Sequence, residues 1–125
     1  MILIIGGRAQ GKLAYVLKEH NLKQNEIACC EENLPENVFG FKVVYGLNKL
    51  VFKLLEQGEN PAEYILPRLC KHHIIICDEV GSGIVPMNKI DRDYRDAVGE
   101  ICRKIASDAE IVERVTCGIA TRIKG

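Results

Sequence analysis

"GGRAQGKL", residues 6–13, follows directly on the apolar run Met1-Ile2-Leu3-Ile4-Ile5, and its reading decides the fold. Five consecutive apolar residues ended by two glycines are the pattern of a short strand buried on both faces. Lys12 to His20 then places Leu13, Val16 and Leu17 at the spacing of one buried helical stripe. Strand, glycine loop and helix in that order, with Gly6, Gly11 and Lys12 at the spacing G-x-x-x-x-G-K, predict a phosphate-binding loop made of Gly6, Gly7, Arg8, Ala9, Gln10, Gly11, Lys12 and Leu13. Glycines let successive backbone N–H groups close around phosphate oxygens, and the helix start adds partial positive charge. Lys12 is expected to bridge the terminal phosphates. Leu13 stands where a serine or threonine hydroxyl normally ligates magnesium, and a leucine offers no oxygen to a hard cation. Phosphate anchoring depends on the backbone and Lys12, so it can survive the change; Mg2+-assisted phosphoryl transfer is what Leu13 puts in question. The plainer alternative is a tight strand-to-helix turn with a solvated lysine.

The remaining sequence sets the frame around this loop. A chain of 125 residues fits one domain, residues 1–125, and is long enough to bury a real core. Its composition, 47% apolar and 27% charged, is that of a globular protein rather than a disordered tail. Lys plus Arg equals Asp plus Glu at 17 each, so no global positive field points to nucleic acid or to an anionic membrane surface. No apolar run approaches the roughly 20 residues of a membrane span, and no secretion signal is apparent, so a cytoplasmic location is expected. None of the six cysteines is spaced as C-x-x-C, and Cys29 and Cys30 are adjacent, which suits neither a local disulfide nor a zinc knuckle. Most are expected to be buried and reduced, with Cys77 and Cys117 closing apolar runs.

A second strand is expected at Glu26 to Cys30, followed by "EENLPENVFG" (31–40) as loop. From Gly46, Leu47, Leu50, Val51, Leu54 and Leu55 recur at offsets of three and four, a helix closed by "QGEN" (57–60). A short helix from Pro61 to Leu69 is expected next, with proline in its first turn. "HHIIICDE" (72–79) predicts a central strand, and Asp91 to Ser107 a long helix with Asp91 as N-cap and Tyr94, Ala97, Val98, Ile101 and Ile105 inward. Two further strands, Glu110 to Cys117 and Ile119 to Lys124, bend at Gly118. Strands alternating with helices predict an α/β protein of the P-loop NTPase-like kind, its mostly parallel sheet covered by helices on both faces.

Asp78 and Glu79 fall at the C-terminal end of the central strand, the edge where doubly wound sheets bind ligands. A carboxylate there holds magnesium, Asp78 being the candidate ligand, or acts as a base; alternatively it caps the following turn. Lys12, Asp78 and Glu79 are thus the candidate catalytic residues. His72 and His73 lie at the opposite end of the strand and read as surface or edge residues.

With these residues in view, "DEVGSGIVPMNKIDRDYRDAVGEICRKIASDAEIVERVTCGIATRIK" (78–124) resembles the C-terminal part of the bifunctional adenosylcobinamide kinase / adenosylcobinamide-phosphate guanylyltransferase family of cobalamin biosynthesis. The family pattern N-E-V-G-x-G-[IV]-V-P, then R-x-[FY]-R-D-x-x-G-x-x-N-Q, is matched by Glu79, Val80, Gly81, Gly83, Ile84, Val85 and Pro86 and by Arg92, Tyr94, Arg95, Asp96 and Gly99, with Gly118 in the family's closing V-S-G position. The resemblance implies a purine nucleotide, ATP or GTP, as cofactor, a corrinoid whose aminopropanol hydroxyl is phosphorylated, GMP transfer through a histidine, and assembly into a homo-oligomer. It makes Gly81, Gly83, Pro86, Arg92 and Arg95 candidate substrate-binding residues. For the two arginines, surface pairing with Asp91, Asp93 or Asp96 is the alternative.

The departures carry as much information as the matches. Family members are longer, and the missing length falls between Cys30 and Val43, where the guanylylated histidine sits; no histidine occurs from Asn21 to Lys71. The family loop ends R-S-G-K-S, against Ala9-Gln10-Gly11-Lys12-Leu13. The acid that closes its second acid-bearing strand is replaced by Tyr45, Cys102 and Arg103 replace the Asn-Gln pair, and Asp78 replaces the Asn before Glu79. A kinase-type reaction without the guanylyl step is therefore expected, the alternative being a non-catalytic nucleotide-binding or regulatory subunit with the same fold.

Overall fold

Apolar residues alternating with a period of two can serve both faces of one sheet. The computed structural model describes residues 1–31, 36–80 and 88–125. Among them, β1 (Ile2–Gly6), β2 (Ile27–Cys29), β3 (Val43–Tyr45), β4 (Ile74–Asp78), β5 (Ile111–Thr116) and β6 (Ile119–Lys124) form one sheet in the order β2-β3-β4-β1-β5-β6. Every neighbouring pair is parallel except β5 and β6, an antiparallel hairpin. The expected α/β class and mostly parallel sheet are present.

Four α-helices accompany the described strands: α1 (Lys12–Glu19), α2 (Leu47–Glu56), α3 (Pro61–Ile65) and α4 (Lys89–Asp108). Ile4, Val43, Ile74, Ile76 and Val115 face α1 and bury Val16. Leu3, Val44, Ile75, Cys77 and Val112 face the other way and pack with Leu47, Leu50, Val51 and Leu54 of α2, Ile65 of α3, and Val98, Ile101 and Ile105 of α4. Each such aliphatic side chain taken out of water contributes about 1.5–3 kcal/mol against chain entropy, so the three-helix face carries most of the core.

Several local expectations are corrected. Asn88, not Asp91, caps α4: its side chain accepts a 2.9 Å hydrogen bond from the Asp91 N–H. The helix from Pro61 ends at Ile65 and tightens into a 3₁₀ turn at Leu66–Arg68, where Pro67 cannot donate an α-helical hydrogen bond. Val43–Tyr45 is a full member of the sheet, although three residues before a helix give no strand periodicity of their own. Glu26 belongs to a 3₁₀ turn, Gln24–Glu26, ahead of β2. Cys29, Cys70 and Cys117 are exposed while Cys30 and Cys77 are buried and Cys102 is half-buried, so the expectation of mostly buried thiols fails, for Cys117 because it sits in the hairpin turn. His73 is fully buried rather than at the surface. Its Nδ1 accepts from the Cys70 N–H at 2.8 Å and its Nε2 lies 2.8 Å from the Phe39 carbonyl, joining β4 to the chain ahead of β3.

Candidate phosphate site

The register of the central strands builds the site. β1 lies between β4 and β5, and Gly6 is paired with Asp78, so the loop leaving β1 starts beside the acid ending β4. The Glu79 N–H donates to the Gly6 carbonyl at 2.8 Å and fixes that adjacency. Gly6 is required sterically: a Cβ there would fall 2.4 Å from the Val115 carbonyl oxygen. Gly11, at φ 85°, supplies the left-handed turn into α1. The first α-helical bond joins the Tyr15 N–H to the Gly11 carbonyl, so the N–H groups of Lys12, Leu13 and Ala14 have no acceptor within the helix. They form a donor cluster at the positive end of α1.

Lys12 lies at the centre of this turn with its side chain 3% exposed. Its Nζ donates to the Gly7 carbonyl at 2.6 Å and pairs with Asp78 Oδ1 at 2.7 Å. A buried ammonium is tolerable only when paired and hydrogen-bonded, and both conditions are met. Of the two adjacent acids, Asp78 faces Lys12 on the α1 side. Glu79 accepts from Arg114 Nε at 2.7 Å, on β5. The two acids expected at one centre thus have different partners, Lys12 for Asp78 and Arg114 for Glu79.

Three contacts escaped the sequence reading, one of them made by the loop residue Gln10. Asn48, 3% exposed in the first turn of α2, accepts from the Asp78 N–H at 3.1 Å and donates through Nδ2 to the Tyr94 hydroxyl at 3.2 Å. It thus ties the end of β4 to α2 and α4. Its signal was a polar residue three before Val51 on an otherwise apolar stripe. Gln10 grips the β5–β6 hairpin: its Oε1 accepts from the Cys117 N–H at 2.7 Å and its carbonyl from the Gly118 N–H at 2.8 Å. Cys117 and Gly118 have φ 52° and 75°, the geometry of a tight hairpin turn, and nothing local in the sequence links them to Gln10. Arg114, which holds Glu79, is the third.

Leu13 and Tyr45 occupy the positions that weaken cation chemistry. Tyr45 ends β3 beside Ile76; burial, reinforced by Glu31 and Asp78, raises its phenol above 10, so it stays neutral. With no oxygen from Leu13, a neutral phenol at Tyr45 and Asp78 committed to Lys12, the described donors do not fit a magnesium ion held by a loop hydroxyl and a free carboxylate. Arg92 and Arg95 lie one turn apart on α4, and neither takes part in an ion pair among the described residues. Arg8 is exposed on the loop. Gly81, Gly83 and Pro86 lie outside the described residues.

Comparison with known proteins bears on this arrangement. The family described as cobinamide kinase / cobinamide phosphate guanyltransferase matches residues 52–123, from α2 through β4 and α4 into the β5–β6 hairpin. The chain belongs to this family. Its fold class, P-loop NTPase-like with a mostly parallel sheet, follows from membership and from the topology above. Among curated relatives, the bifunctional adenosylcobalamin biosynthesis protein CobU of Salmonella typhimurium is 39% identical over 51 residues, 41% of this chain and 28% of the relative. The protein of the same name from Escherichia coli is 31% identical over 77 residues, 58% of this chain and 42% of the relative. The matched segments thus span less than half the length of either relative. No described helix is long and apolar enough to cross a membrane.

Proposed function

We propose that the loop from Gly6 to Lys12 binds the polyphosphate of a purine nucleotide, ATP or GTP, and that the chain carries out kinase-type phosphoryl transfer to a hydroxyl of a corrinoid. The observation that carries this reading is Lys12, buried at the mouth of a donor-lined turn and held, among the described residues, by groups a phosphate can replace or share. An entering phosphate takes the place of the Gly7 carbonyl on Nζ, while Asp78 keeps the ammonium aimed at the transferring group. The N–H groups at the start of α1 neutralise the remaining oxygens. Asp78, at the strand edge, also lies where its oxygen not paired with Lys12 can accept a hydrogen bond from the attacking hydroxyl and orient it. Glu79 does not share that work; through Arg114 it positions the strand end. Arg92 and Arg95 are assigned to the acceptor, as ligands for its phosphate or amide groups, together with Gly81, Gly83 and Pro86. No step is routed through magnesium.

The guanylyl step is absent from this proposal because no histidine occurs between Asn21 and Lys71, and His73, with both ring nitrogens engaged, immediately precedes β4 at the end remote from Lys12. Cytoplasmic location and self-association are proposed on family grounds. A second reading, a non-catalytic nucleotide-binding or regulatory subunit, is favoured by Leu13 and Tyr45, which remove cation ligands and leave the anchoring groups. Incubation of cobinamide with γ-labelled ATP separates the two. Label on the corrinoid that disappears in Asp78→Asn supports the kinase; nucleotide binding with no label at high protein concentration supports the subunit.

A further inference from the structure

Two cysteines that have no part in the proposed phosphate chemistry meet behind its carboxylate. Cys77 is the last residue of β4 before Asp78 and is 1% exposed. Cys102 lies on α4, half-buried, with its sulfur 3.7 Å from that of Cys77. Both are free thiols. To bond, the sulfurs must close by about 1.7 Å, to the disulfide length of about 2.05 Å. They sit on two elements packed in the same core, β4 and the helix carrying Val98, Ile101 and Ile105. Cys102 has a route to solvent, because it lines an open groove of about 380 Å3 with Ile5, Asp78, Glu79, Val80, Val98 and Gly99. Cys77 lacks such a route.

We infer that Cys77 and Cys102 are a redox-modifiable dithiol, converted to an intramolecular disulfide by a low-molecular-weight disulfide that enters through this groove. Cys102 is the attacking thiol. The Cys77 contact holds its thiol below the usual value of 9 and raises that of Cys77 in turn, which favours thiolate at the accessible sulfur. The Cys102 thiolate attacks one sulfur of the oxidant and releases one thiolate, which takes up the Cys77 proton. The Cys77 thiolate so formed then attacks Cys102, breaks the mixed disulfide and releases the second thiolate, which takes from solvent the proton that Cys102 gave up on ionising. In sum, two protein thiols are oxidised to one disulfide, and the oxidant is reduced to two thiols. The bond would join α4 covalently to the residue before Asp78. The dithiol stands on its own geometry; only an effect of oxidation on nucleotide affinity would rest on the function proposed above.

The test is exposure of the full native chain to oxidised glutathione, followed by alkylation of remaining thiols and peptide mapping. The expected result is a cross-linked Cys77–Cys102 peptide pair, lighter by two hydrogens and restored by dithiothreitol, while Cys29, Cys70 and Cys117 carry mixed disulfides only. In Cys77→Ala the expected product is glutathione held on Cys102. In Cys102→Ala, Cys77 is expected to remain a free thiol. Alkylation of both residues in the wild-type chain after exposure, with the three exposed cysteines modified, would overturn the inference whatever the variants do. Because this readout needs no nucleotide, its failure is distinguishable from failure of the proposed phosphate site.

Discussion

The two sides of the site, both at the C-terminal edge of the sheet, have diverged unequally. On the β1–α1 side lie the groups of the proposed phosphate anchor: Gly6 under the Val115 carbonyl, Gly11 in the left-handed turn, the donors at the helix start and a buried Lys12. On the β3–β4 side, the oxygen-bearing groups are thinned. Tyr45 ends β3, Asp78 is neutralised by Lys12, and Glu79 is turned to Arg114. Anion anchoring uses backbone geometry, which tolerates change of side chains as long as the glycines remain. Cation ligation needs specific oxygens at specific places and is lost with single substitutions. On the function proposed above, the anchoring half persists where the cation half does not.

That contrast can be broken most severely at Gly6. Replacement by Ala brings a Cβ to 2.4 Å from the Val115 oxygen, and the strand ends must separate. A loss of about 1–3 kcal/mol is expected in a chemical denaturation curve, with nucleotide affinity falling alongside. An unchanged midpoint would mean that β1 and β5 are not clamped at this point. The other half is sharpened by restoring oxygen: Leu13→Ser with Tyr45→Asp is expected to make ATP affinity rise several-fold with added magnesium, whereas the wild type is expected to respond little. A double variant as indifferent to the cation as the parent would show that those positions are not the missing ligands.

A smaller effect is expected from Gln10→Ala, which releases the Cys117 N–H from Gln10 Oε1. About 0.5–1.5 kcal/mol of stability should go, and hydrogen exchange at Cys117 and Gly118 should quicken while β4 is unaffected. The smallest test lies at the far end of β4. Burial lowers the His73 pKa below its ordinary 6.5, so the unfolded chain binds a proton first as pH falls. Stability should therefore decline with falling pH from about 6.5 to the lowered folded value. His73→Gln should flatten that slope, read as melting temperature against pH. Equal slopes in the two proteins would remove His73 as its source.

Much of this was legible in the sequence because the responsible signals are local. An apolar pentad followed by glycines gives β1 and its loop, and the offsets of Leu47, Leu50, Val51 and Leu54 give α2. What escaped depends on pairing across the chain. β3 is only Val43–Tyr45 and takes its state from β2 and β4. Asn88 rather than Asp91 caps α4 because both residue types suit a cap, and backbone geometry chooses between them. In the site, Lys12 and Asp78 were readable by spacing and strand position. The separation of Asp78 from Glu79, the Gln10 clamp and the Asn48 bridge were not, since each requires knowing which face or which distant turn a side chain meets.

The central claim is that backbone amides and one lysine suffice to grip a polyphosphate. Calorimetric titration of ATP and of GTP into the chain in EDTA, beside Lys12→Ala, tests it most directly. Saturable binding of at least one nucleotide without magnesium is expected, weakened roughly tenfold to a hundredfold by the substitution, which corresponds to a lost charged hydrogen bond of about 1.5–3 kcal/mol. No binding by the wild-type chain, or equal affinity in the variant, would contradict it.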